Sequence, residues 1–101
     1  MAKQRTQQER RPMLHKKIKL INKLGLHARA SMKLIDTANK FGSNIIIKFD
    51  NKEVNAKSIL NIMVLGAKCG SELTLEVTGS DEERAMQAIC DLINNRFGEA
   101  E

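Results

Sequence analysis

The segment Glu72–Thr78 (ELTLEVT) alternates without a break: Leu73, Leu75 and Val77 fall on one side of an extended chain, and Glu72, Thr74, Glu76 and Thr78 on the other. A strand with one polar face belongs to a sheet covered on one side and open to water on the other. The covering layer has to come from segments with a different period. Three such segments occur. Residues 28–39 place Met32, Ile35 and Ala38 on one helical face, flanked by Leu34 and Phe41, with Gly42 as terminator. Residues 58–68 (SILNIMVLGAK) are apolar around most of their circumference, and Gly70 lies just past their end. Ser80 followed by Glu83 forms a capping box, opening a helix whose inner face carries Met86, Ile89, Ile93 and Phe97.

Three further strands complete the sheet. Ile18, Leu20 and Ile21 among lysines read as the first, and residues 22–26, with Gly25, connect it to the first helix. The β-branched run in residues 44–50 (NIIIKFD) is the second, and an Asp50-Asn51 turn leads to a short third strand over residues 52–55. The order βαββαβα predicts an α+β open-faced sandwich: a four-stranded antiparallel sheet with three helices on one face. At 101 residues the chain is too short for a second independent core. The domain is expected over residues 16–98, between a basic, flexible extension at residues 1–15 and a C-terminal end at residues 99–101.

The formal charge of +5 invites a nucleic-acid reading, but its distribution removes it. Residues 1–17 hold six basic side chains against Glu9 alone, and the rest of the chain is balanced at eleven of each sign. With no Trp or Tyr and three Phe, the domain has few platforms on which bases could stack. His15 falls in this basic stretch and reads as a solvated tail residue. Cys69 and Cys90 lack CxxC or metal-ligand spacing and read as small buried apolar residues. Residues 1–12 lack the apolar run of a secretory signal, and no stretch has the length of a membrane span, so a cytoplasmic protein without membrane insertion is expected.

One segment carries chemistry. Gly25-Leu26-His27-Ala28-Arg29 sets a histidine between a glycine-containing loop and the first turn of a helix. Free backbone N–H groups and the positive end of the helix dipole favour anions there and disfavour an imidazolium, which leaves a neutral, nucleophilic ring. Arg29 can turn its planar donors to the same point. The residues describe a phosphoryl acceptor, in which a ring nitrogen attacks phosphorus and the arriving charge meets donors already in position. No phosphate-binding glycine loop or carboxylate cluster for Mg²⁺ accompanies them, so the phosphoryl donor has to be another protein. The competing reading of His27 is a solvated or capping residue.

With Ile21-Asn22-Lys23-Leu24 before that segment and Lys57-Ser58-Ile59-Leu60-Asn61-Ile62-Met63 downstream, the chain resembles the HPr family over about residues 13–97. These are the histidine-containing phosphocarriers of the bacterial phosphotransferase system, in its sugar or nitrogen branch. The resemblance implies that His27 is phosphorylated on Nδ1 by Enzyme I, charged from phosphoenolpyruvate, and that it passes the group to IIA proteins or domains. Arg29 carries over as the phosphate contact. Such a protein is a monomeric intermediate in phosphotransfer rather than a free-standing catalyst, with no cofactor and no metal. Many members have proline after the arginine; Ala30 here is sterically acceptable and restores an N–H donor.

Ser58 matches the serine that HPr kinase/phosphorylase modifies in many bacteria, which brings that kinase and a transcriptional regulator in as partners. Its competing reading is a helix cap. Ile59, Ile62 and Met63, with Ala28 and Ala30 near the histidine, are the expected docking face, since a short helix on one side of a sheet cannot bury its whole circumference. The competing reading places the apolar residues of that helix in the core. Two other functions compete: a regulatory module read through phospho-Ser58, and a small RNA-binding domain, which lacks paired strand aromatics. Met13 offers a second start, which would make residues 1–12 an upstream extension.

Overall fold

The computed structural model describes residues 13–101. Expectations about residues 1–12, including most of the basic stretch, lie outside the described residues. Four strands, β1 (Leu14–Lys19), β2 (Asn44–Phe49), β3 (Lys52–Asn55) and β4 (Glu72–Thr78), form one antiparallel sheet in the order β1-β4-β2-β3. Helices α1 (Ala28–Ala38), α2 (Ile59–Leu65) and α3 (Glu82–Asn94) cover one face, and a 3₁₀ turn, Arg96–Gly98, follows. α3 packs on β1 and β4, α2 packs on β3, and α1 lies against both other helices. This is the open-faced α+β sandwich that the periodicities require.

The alternation in β4 works as read. Leu73, Leu75 and Val77 are fully buried, with Ile45 and Ile47 from β2 and Ile18 from β1 beside them. Ile62 and Leu65 of α2, Ile89 and Ile93 of α3, and Phe97 close the core from above. On the open face Glu76 is nonetheless largely buried, because Lys48 Nζ lies 2.8 Å from its carboxylate and His15 stands across from it.

Several local expectations are corrected. The first strand begins at Leu14, not Ile18, since pairing with β4 extends the ladder from Leu14↔Val77 to Lys19↔Glu72. His15 is therefore a strand residue opposite Glu76 and no part of a tail. Leu20 is buried beyond the strand, its N–H bonded to Ser71 O, while Ile21 is exposed. On α1 the buried stripe is Ala30, Ser31, Leu34 and Ala38, and Met32 is 56% exposed. Small side chains let this helix sit close to its neighbours, and the bulkier methionine is turned outward. The first helix ends at Ala38 with Asn39 as its C-cap, and Gly42, expected as its terminator, instead donates its N–H to Asp81 Oδ2 at 2.9 Å.

The second helix stops early, at Gly66, whose φ of +61° is the left-handed termination that glycine supplies most readily. The cap of α3 lies one residue later than expected. Asp81 is the N-cap, and the Glu82 side chain accepts from Gly79 N–H at 2.9 Å. Phe97 is buried as read but belongs to the 3₁₀ turn after α3. Cys90 is buried and burial pushes its thiol pKa up, whereas Cys69 is exposed, because the chain has already left α2 when it reaches that position.

Candidate functional site

The loop before α1 is built by Gly25. Its φ of +66° lies in the left-handed region, and a Cβ there would stand 2.7 Å from Ala67 O and 2.8 Å from Lys68 Cα, so only glycine allows the approach. Leu26 N–H then bonds Ala67 O at 3.0 Å, which ties the loop to the segment following α2. Fully buried Asn22 braces the turn from within, donating from Nδ2 to Gly25 O at 2.8 Å. Two elements distant in sequence thus fix where α1 starts.

His27 occupies that start. It is the N-cap residue of α1, in extended conformation (φ −80°, ψ 178°), and its carbonyl accepts the first helical hydrogen bond from Ser31 N–H. Its side chain makes no capping bond, so the first-turn N–H groups keep their capacity for an anion. The ring is 28% exposed at the edge of an open cavity of about 680 Å³, which Lys23, Leu24 and Arg29 also line. Ala28 and Arg29 are exposed at this rim.

The opposite wall comes from Glu99, Ala100 and Glu101, which sequence reasoning left outside the domain. The Glu99 carboxylate meets His27 Nε2 through one oxygen and accepts from Asn22 Nδ2 at 3.1 Å through the other. Burial alone would raise the Glu99 pKa, but the hydrogen bonds from Asn22 and His27, with the nearby charge of Lys33, hold it below the usual carboxylate value. Glu101 pairs with Lys23, 3.3 Å from its Nζ. The pattern around His27 contains no trace of Glu99, which lies 72 residues away. Asn22 stood in the recognised segment, yet its neighbours give no hint of a buried amide reaching that carboxylate.

The other expected site residues divide. Ser58 is the N-cap of α2 and accepts from Asn61 N–H at 3.4 Å, so its hydroxyl does serve as a cap. On α2, Ile59 and Met63 are exposed, together with Leu60 at 75% and Val64 at 63%. Ile62 is fully buried, which corrects its expected place on the docking face: with Leu65, three residues on, it forms the inner face of α2, while Leu60, Met63 and Val64, one or two residues from it, turn outward. Ala30 is likewise buried, forming part of the stripe that α1 turns to the core.

Fold and site together define a class, a small open-faced α+β protein that presents a histidine at the head of a helix with an arginine beside it. Residues 14–95 match the family model described as PTS HPr component phosphorylation site. Among similar proteins, the phosphocarrier protein HPr of Neisseria meningitidis serogroup A is 49% identical over 89 residues, covering 88% of this chain and 100% of the relative. That of Cupriavidus necator is 51% identical with the same coverage. The crystal structure of HPr-C-His from Thermoanaerobacter tengcongensis superposes with a TM-score of 0.85 at 47% identity, covering 88% of this chain and 100% of that one. The chain belongs to the HPr family, the phosphocarrier proteins of the phosphotransferase system.

Proposed function

We propose that His27 accepts a phosphoryl group on Nδ1 from phosphorylated Enzyme I and passes it to IIA proteins or domains. The observation that carries the reading is the position of His27: an N-cap side chain left free of capping, at the rim of a cavity shared with Arg29. Attack by the Nδ1 lone pair forms the N–P bond as the donor's bond to phosphorus breaks. The first-turn N–H groups and the Arg29 guanidinium receive the charge on the phosphoryl oxygens. The ring needs no general base when its other nitrogen already holds the proton.

Incubation with Enzyme I and phosphoenolpyruvate should give one acid-labile, base-stable phosphate, and unchanged labelling of His27→Ala would refute the assignment. Partner contact falls to Ile59 and Met63 on α2 and to Ala28 at the rim, all exposed. The carrier acts as a cytoplasmic monomer. One similar solved structure, from Thermoanaerobacter tengcongensis, is an HPr dimer, so sedimentation of this chain at working concentration is the check on that point.

Regulation through Ser58 by HPr kinase/phosphorylase, with a transcriptional regulator reading the result, is the second part of the proposal. A phosphate there would add about −1.5 to −2 charges at the N-terminus of α2 while leaving the helix favourably capped. It would repel acidic partners without unfolding the domain.

A further inference from the structure

We infer that Glu99 is a positioning residue for His27: it holds the proton on Nε2, so that Nδ1 is the free nitrogen that takes and later releases the phosphoryl group. The inference rests on the function proposed above. Glu99 reaches the ring through tertiary structure alone. Phe97, wholly buried, anchors the 3₁₀ turn, and Lys33 Nζ donates to its carbonyl at 2.7 Å. Two residues later the chain arrives over His27, where the Glu99 side chain is only 16% exposed and buried Asn22 fixes its second oxygen.

The chemistry follows from the inventory of donors. An ionised carboxylate only accepts hydrogen bonds, so the nitrogen that meets Glu99 has to carry the hydrogen. With Nε2 protonated, the lone pair of a neutral imidazole lies on Nδ1. A carboxylate that orients a ring by its far nitrogen is the same device that orients catalytic and metal-bound histidines. When Nδ1 bonds to phosphorus and the donor leaves with the electron pair of the broken bond, the ring becomes positive. Glu99 faces that charge at Nε2 and stabilises it without removing the proton. In the onward step the N–P bond breaks, its electron pair returns to Nδ1, and the ring leaves as neutral imidazole because the Nε2 proton stayed in place. Of the other charged groups around the ring, Arg29 and Lys23 line the cavity, Glu101 is paired with Lys23, and Lys33 lies close enough to act on Glu99.

The test uses the full chain and the variants Glu99→Gln, Glu99→Ala and, as a control, Glu101→Ala. NMR of protein labelled with ¹⁵N in histidine should show a protected Nε2–H on His27 at neutral pH in the native chain, in Glu99→Gln and in Glu101→Ala. It should be lost to solvent exchange in Glu99→Ala. Phosphoramidate, a small phosphoryl donor, should label Glu99→Ala about tenfold more slowly than the native chain, the scale seen when a histidine's outer partner is removed. Glu99→Gln, which keeps an acceptor but not the charge, should recover part of that loss. Native-rate labelling of Glu99→Ala with its Nε2–H signal intact would overturn the inference. Melting curves separate a folding defect from a positioning one. Because the ring signals are read before any phosphate is added, failure of His27 to take phosphate in the native chain would count against the proposed function, not against the contact.

Discussion

At the scale of single residues, the site depends on conformations and donors that few substitutions preserve. Gly25→Ala combines a left-handed φ with a Cβ pressed against backbone at Ala67 and Lys68, and it should cost about 1–3 kcal/mol in urea unfolding. The loss should carry over to phosphoryl acceptance, since Gly25 fixes the start of α1. Arg29 is exposed, so its removal should leave stability unchanged and act on transfer alone. Arg29→Ala is expected to slow labelling by Enzyme I by about tenfold, and Arg29→Lys by less, because lysine keeps the charge but not the paired donors. Steady-state labelling rates measured beside melting temperatures separate the two effects. The pentapeptide around His27 made the nucleophile and the arginine legible, because a helix start imposes local electrostatics that local sequence encodes. It said nothing of Glu99, whose partner lies at the far end of the chain.

At the scale of elements, the caps show where pattern reading succeeds and where it slips. Ser58 caps α2, and Ser58→Ala should lower stability by about 1 kcal/mol while leaving His27 labelling unchanged. Chemical denaturation and labelling of the same preparation check both halves. Asp81 is more than a helix residue: it accepts from Gly42 N–H, Ser43 N–H and the Ser43 hydroxyl, joining the start of α3 to the entry of β2. The Ser43 hydroxyl, followed by the Gly42 N–H, lowers the Asp81 pKa. A carboxyl whose folded pKa is depressed contributes stability above its unfolded pKa, and that contribution fades as pH falls through the lower folded value. Native protein should therefore lose melting temperature on acidification below the ordinary carboxylate range more steeply than Asp81→Asn. Equal slopes would show that this linkage does not matter. The capping-box pattern placed this helix within a residue of its true start, but only the neighbouring strand selected Asp81 as its cap.

At the scale of the whole molecule, the sheet carries α2 and α3 directly and α1 lies against both, so damage beneath it should be felt everywhere. Leu75 is fully buried at the centre of β4, the strand shared by β1 and β2. Leu75→Ala should cost about 2–5 kcal/mol, observed as one cooperative transition at a lower temperature with the His27 ring signals lost in step. The sequence by itself determined the order of elements, the half-wet sheet, and His27 with Arg29 at the head of a helix. Each of these follows from side-chain period or from local backbone electrostatics, which act over a few residues. Tertiary structure alone decided that α1 buries Ala30 and Ser31 rather than Met32, that Ile62 faces the sheet, and that Cys69 stays outside. It alone brought Glu99 and Asn22 to the ring. Those outcomes depend on which surface of each element meets another and on contacts that close long loops, and packing in three dimensions leaves no periodic mark on the chain that makes it.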